Sequence, residues 1–118
     1  MKFDWRRFTE TDYEKYVKNP FYDDYIGAVL IGDICIDLLI HDDNAVSYDF
    51  YVAHEDSGYG YKNDIPYDYA DGGEIDISCE LSYDSFKDKA EKIFMNYIMD
   101  YKGNYSLVDH ANKPLEIW

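Results

Sequence analysis

The sequence predicts an α+β domain: a four-stranded antiparallel sheet, a short N-terminal helix, and a long C-terminal amphipathic helix packed on one face. Three observations lead there. Apolar runs with period-two alternation recur between residues 25 and 81, divided by turn residues. One later segment carries its apolar residues at spacings of three and four instead. Finally, 118 residues of which 47% are hydrophobic suffice for one compact core, so residues 1–118 are expected to form a single domain.

The elements follow in order. Thr11-Asp12-Tyr13-Glu14 fits a capping box, in which the hydroxyl and the carboxylate each satisfy a free backbone amide. A short helix from about 12 to 18 would stop before Asn19-Pro20, because proline restricts the residue ahead of it. Tyr25 to Ile31 is nearly uncharged and rich in branched residues, as a central strand should be. Gly32-Asp33 supplies a tight reversal into a second strand, Ile34 to His41. After the Asp42-Asp43-Asn44 turn, Val46, Tyr48, Phe50 and Val52 alternate with Ser47, Asp49 and Tyr51. A fourth strand places Ile75, Ile77, Cys79 and Leu81 on one face and Glu74, Asp76, Ser78 and Glu80 on the other. The long helix carries Phe86, Ala90, Ile93, Phe94, Tyr97, Ile98 and Tyr101 as one apolar stripe. Asp84 or Ser85 suits its start and Gly103 its end. A short strand is expected at Leu115–Trp118, and Trp5 and Trp118 are expected to pack the two ends down.

Charge is the most informative part of the composition. The chain carries 25 acidic and 11 basic residues, a net charge of -14. The excess is confined to residues 21–84, which hold sixteen acids and a single base, Lys62. Asp outnumbers Glu by 18 to 7, and the shorter side chain holds its charge close to the backbone. A rigid charge array loses less side-chain entropy on binding than one built on long arms. This balance weighs against direct binding to nucleic acid or an anionic membrane and points either to a basic protein partner or to charge that serves solubility alone.

With the helix on one face, the other face of the predicted sheet carries Asp37, Asp49, Glu74, Asp76 and Glu80. Residues two apart on a strand lie roughly 6.5–7 Å apart, and neighbouring strands roughly 4.8 Å. The result is a grid of carboxylates at separations comparable to those among phosphates. Between the third and fourth predicted strands, His54 to Gly73 reads as a long loop. It sets Tyr59, Tyr61, Tyr67 and Tyr69 beside Asp56, Asp64, Asp68 and Asp71, a composition suited to packing on Lys and Arg stems while neutralising their heads.

Other chemistry finds little purchase. Asp68, Asp71, Glu74 and Asp76 with Gly72 and Gly73 do not fit the EF-hand register. His41, His54 and His110 are scattered, and Cys35 and Cys79 lack metal-ligand spacing. There is no glycine-rich phosphate loop and no G-x-S-x-G sequence. No catalytic residue, metal or cofactor is therefore expected. The N-terminus lacks an apolar signal core and no run approaches a membrane span, so a cytoplasmic protein is expected.

In size and acidity the chain resembles the small bacteriophage anti-CRISPR and antirestriction proteins of the DNA-mimic type. That resemblance implies an inhibitor that occupies the basic nucleic-acid-binding surface of a nuclease, carboxylates standing in for phosphates. The alternatives are an immunity protein covering the cleft of a toxin nuclease and a calcium- or small-ligand-binding domain using residues 54–76.

Overall fold

A computed structural model describes residues 2–18, 24–40, 45–53, 60–61, 65–77, 82–100 and 105–113. Along the chain come β1 (Asp4–Arg6), α1 (Glu10–Lys18), β2 (Asp24–Ile31), β3 (Ile34–Ile40), β4 (Ala45–Ala53), β5 (Gly60–Tyr61), β6 (Ile65–Asp76), α2 (Tyr83–Asp100) and α3 (Tyr105–Ala111). Five strands form an antiparallel sheet in the order β1-β2-β3-β4-β6, and the two-residue β5 pairs with the first residues of β6. The α+β class and the long covering helix agree with the sequence; the strand number does not.

Pleating sorts the side chains. Ile34, Ile36 and Leu38 of β3, Val46 and Phe50 of β4, and Ile75 of β6 form one buried face with Val29 and Ile31 of β2. The stripe Phe86, Ala90, Phe94 and Ile98 of α2, one residue every turn, closes over it. Phe94 is the hub: its ring meets Phe50 edge-on at 5.7 Å and Tyr48 at 5.3 Å, and reaches Phe3 at 6.0 Å. Burying each such ring contributes about 1.5–3 kcal/mol.

β1 was invisible to the strand pattern, being three residues long. It is held by its register on β2 (Trp5 opposite Val29) and by Trp5, whose ring lies 6.1 Å from Phe86 and 6.3 Å from Tyr83. The indole Nε1 donates to Glu91 Oε1 at 3.3 Å, and Lys87 Nζ sits 5.6 Å from the indole centroid. Trp5 thus does pack its end of the chain down; Trp118 lies outside the described residues.

Both helix starts differ from those expected. Thr9, not Thr11, caps α1: its amide donates to Asp12 Oδ2 at 3.1 Å, and the Asp12 amide donates to Thr9 Oγ1 at 3.3 Å. Phe8 before the cap packs on Tyr13 in the first turn at 6.1 Å, a hydrophobic staple that Thr11 has no means to make. Ser82, not Asp84 or Ser85, caps α2, accepting from the Ser85 amide at 3.1 Å. Gly103, Cys79 and the strand expected at 115–118 lie outside the described residues.

The β2–β3 reversal is as expected, and Gly32, the first of its two turn residues, has φ 56°. What the sequence did not disclose is that α3 ends on it. The Asp33 amide donates to the His110 carbonyl at 2.7 Å, and His110 Nδ1 lies 3.2 Å from Asp33 Oδ2. A Cβ on Gly32 would fall 2.1 Å from the His110 carbonyl oxygen, so only glycine fits beneath the helix end.

The described residues of the expected loop over 54–73 are strand. β6 already begins at Ile65, and its partners on β4 run from Tyr67 opposite Ala53 to Asp76 opposite Ala45. Pro66 precedes that ladder, where its missing amide costs nothing against β4. Tyr48 lies directly opposite Gly73, with its ring over the bare glycine: an added Cβ would meet the Tyr48 hydroxyl at 2.6 Å. Between Phe50–Asp71 and Tyr51–Tyr69 the register shifts, leaving Ala70 as the extra residue of a bulge.

Candidate functional site

The face of the sheet turned away from α2 is set by the same alternation. It receives Asp4 and Arg6 from β1, Ala28 and Leu30 from β2, Cys35 and Asp37 from β3, Ser47, Asp49 and Tyr51 from β4, and Glu74 and Asp76 from β6. The face has two parts. On the β1–β2 side Asp4 and Arg6 are ion-paired at 2.6 Å, a contact that raises the guanidinium pKa, while Ala28 and Leu30 are buried. Beyond them every charged residue is acidic, with Asp37, Asp49, Glu74 and Asp76 set among Cys35, Ser47 and Tyr51. No Lys or Arg occurs anywhere in β3, β4 or β6.

Asp37 and Asp49 stand directly opposite each other in the β3–β4 ladder. Such partners have Cβ atoms about 4.5–5.5 Å apart, and like charges there are destabilising. Both are half-buried, and burial raises the Asp49 carboxyl above the ordinary carboxylate range. Asp37 Oδ1 lies 3.6 Å from the buried Cys35 Sγ, within reach of the thiol proton. On its other side Asp49 faces Gly72, which brings no side chain. Glu74 is the diagonal neighbour, about 7–8 Å away, and Asp76 continues that row; both are exposed. Four carboxylates from three adjacent strands thus share one rigid surface.

The structure therefore brings Asp37, Asp49, Glu74 and Asp76 together, as the alternation predicts. It moves Asp71 elsewhere. In step with Ile75 and Gly73, Asp71 falls opposite the core residue Phe50, on the side covered by α2, where its charge joins burial in raising the Tyr48 pKa. Reading residues 54–73 as a loop concealed this, since alternation counted back from Ile75 already puts Asp71 on the core side. Tyr61 falls in β5, and Tyr67, Asp68 and Tyr69 in β6, so these four belong to strand backbone and not to a loop. Tyr59, Asp64 and Glu80 lie outside the described residues.

The same placement bears on metal binding. Asp71 and Glu74 belong to opposite sides of one extended strand, unlike the ligands of a loop wrapped around calcium. Among the described residues, no three His, Cys, Asp or Glu side chains converge as a metal would require. A groove of about 350 Å³ on the outer side of α2 is lined by Phe3, Asp88, Glu91, Lys92, Met95 and Asn96. It lies on the opposite side of the sheet from the acidic half, and its mixed lining converges on no reacting centre. Among the described residues, no helix is long and apolar enough to cross a membrane. No protein-family model matches the chain, and neither a curated protein nor a solved structure matches it.

Proposed function

We propose that this protein is a binding module whose acidic sheet face docks on a basic, nucleic-acid-binding surface of another protein, where it competes with nucleic acid. One observation carries the reading. Asp37, Asp49, Glu74 and Asp76 form a carboxylate array on a rigid sheet, in three strands that contain no basic residue. An isolated array of this kind repels itself, and a cationic surface relieves the repulsion. The array also needs no reorganisation to bind, because its spacing is that of the backbone ladder. A nuclease, whether of a defence system or a toxin, offers the basic surface required.

The test compares two triple variants of equal charge. Asp49→Asn/Glu74→Gln/Asp76→Asn neutralises the array; Asp84→Asn/Asp88→Asn/Asp100→Asn removes the same charge from exposed positions on α2. The expected result is that the wild type and the helix variant retain a nucleic-acid-binding protein from host lysate, released by competitor DNA and by raised salt. The sheet variant should retain none. Equal capture by both variants would show that net charge, and not this face, does the binding, and would overturn the proposal.

A further inference from the structure

His110 is the one histidine among the described residues, and histidine is the side chain whose charge ordinarily changes between about pH 5 and 8. It stands in the last turn of α3, where that helix ends on the β2–β3 reversal. Two contacts join the helix end to the turn. The Asp33 amide donates to the His110 carbonyl at 2.7 Å, and Gly32 permits the approach because it has no Cβ to meet that carbonyl. Alongside, His110 Nδ1 stands 3.2 Å from Asp33 Oδ2, on side chains 24% and 22% exposed. The pair is buried enough to escape full screening by salt, yet open to protons from solvent.

The two states of the ring do not hold Asp33 equally. A neutral imidazole offers a proton at Nδ1 in only one of its tautomers. The protonated ring always offers one, and opposite charge strengthens the bond. The surroundings favour the same state. α3 packs on α2, β3 and β4. Exposed Asp109 and Lys113 flank the histidine on its own segment, α2 ends in exposed Asp100, and β3 and β4 each hold one charged residue, Asp37 and Asp49. Asp37 is four residues from Asp33, about 13 Å at strand rise, so Asp33 is the acid that meets the ring. Cys35 of β3, Tyr48 and Tyr51 of β4 and Tyr97 of α2 also titrate, but thiols and phenols are ordinarily neutral below about pH 7.5. We infer that His110 and Asp33 form a proton-operated clamp: protonation of the histidine seats α3 on the reversal, and loss of the proton loosens it. The protonated ring gains its partner on folding, so the contribution is full at low pH and is lost as the histidine gives up its proton. What the clamp holds in place is Leu107 and Ala111, the residues through which α3 joins the core. None of this depends on a basic partner.

The test follows the Asp33 amide by hydrogen exchange in the full chain between pH 5 and pH 7.5. Each rate is corrected for intrinsic exchange and referred to the core amides of β3 and β4, which removes any change in global stability. NMR of the imidazole tracks the charge of His110 over the same range. Protection of the Asp33 amide is expected to fall about fivefold or more as pH rises, the scale that separates a charge-assisted from a neutral hydrogen bond. The midpoint of that fall should coincide with the titration of His110. In Asp33→Asn, which keeps the amide and suits the turn, the fall should shrink below about twofold. A flat wild-type profile would overturn the clamp, and so would a fall whose midpoint is not that of His110. An equal fall in Asp33→Asn would overturn it by assigning the proton's effect to another group. Were the variant to misfold, the two wild-type midpoints decide.

Discussion

Asp49→Asn should make the protein more stable at neutral pH. Asp49 is partly buried, so lost hydration penalises its ionised form, and it faces Asp37 across the β3–β4 ladder, where like charges are destabilising. For two unit charges about 5 Å apart, Coulomb's law gives about 0.8 kcal/mol in bulk water. Cross-strand pairs as measured contribute about 0.2–1 kcal/mol, and the exposed part of the carboxylate keeps the figure at this low end. A gain of about 0.5–1 kcal/mol is expected, which raises the urea midpoint by about 0.3–0.7 M and the Tm by roughly 2–5 °C. The pH dependence identifies the cause. The folded-state pKa of Asp49 lies above its ordinary 3.8. Its penalty is therefore complete above the folded value, shrinks as pH falls through that value, and vanishes below the unfolded one. Urea unfolding at pH 7 and pH 3.5 should show the variant ahead at the first and level at the second. An equal advantage at both pH values, or none at pH 7, would refute the reasoning.

Gly32→Ala should cost more than about 2 kcal/mol, because it combines a left-handed backbone with a Cβ driven against the His110 carbonyl. Loss of exchange protection at the Asp33 amide would report α3 lifting from the hairpin; retained protection with wild-type stability would contradict the packing described. Phe94→Ala should cost about 3–5 kcal/mol in denaturant unfolding, since its ring anchors four others. A cost below about 1 kcal/mol would mean that α2 does not close the core in this way.

The central strands were legible because their own residues determine them. β2, β3 and β4 begin and end within one residue of the positions that branched side chains and alternation indicate. β1 was not legible, since Asp4-Trp5-Arg6 has no pattern of its own and owes its conformation to β2 and to the rings around Trp5. β6 was half hidden by Pro66, Gly72, Gly73 and four acids, all poor strand residues in isolation. They are tolerated because the proline precedes the β4 ladder and Gly73 is covered by Tyr48. The candidate site divides along the same line. Asp37 and Asp49 could be read from regular alternation; Asp71 obeys the same alternation but could not be read, because the glycines and acids around it hide that the strand reaches so far back.

The Trp5–Glu91 contact spans 86 residues, and it has a temporal meaning as well as a spatial one. The hydrophobic side of the sheet is synthesised first, while its cover, α2, emerges only after residue 82. Until then Ile36, Val46 and Phe50 have nothing to lie against, and β1 has lost half of what holds it. Such a chain has little to gain from folding piecemeal: its long-range contacts form together, late, and at the entropic cost of closing most of the sequence into one loop. For an acidic chain this delay is less hazardous than for most. The charge concentrated between residues 21 and 84 keeps unfinished copies apart through the interval in which their apolar face is uncovered.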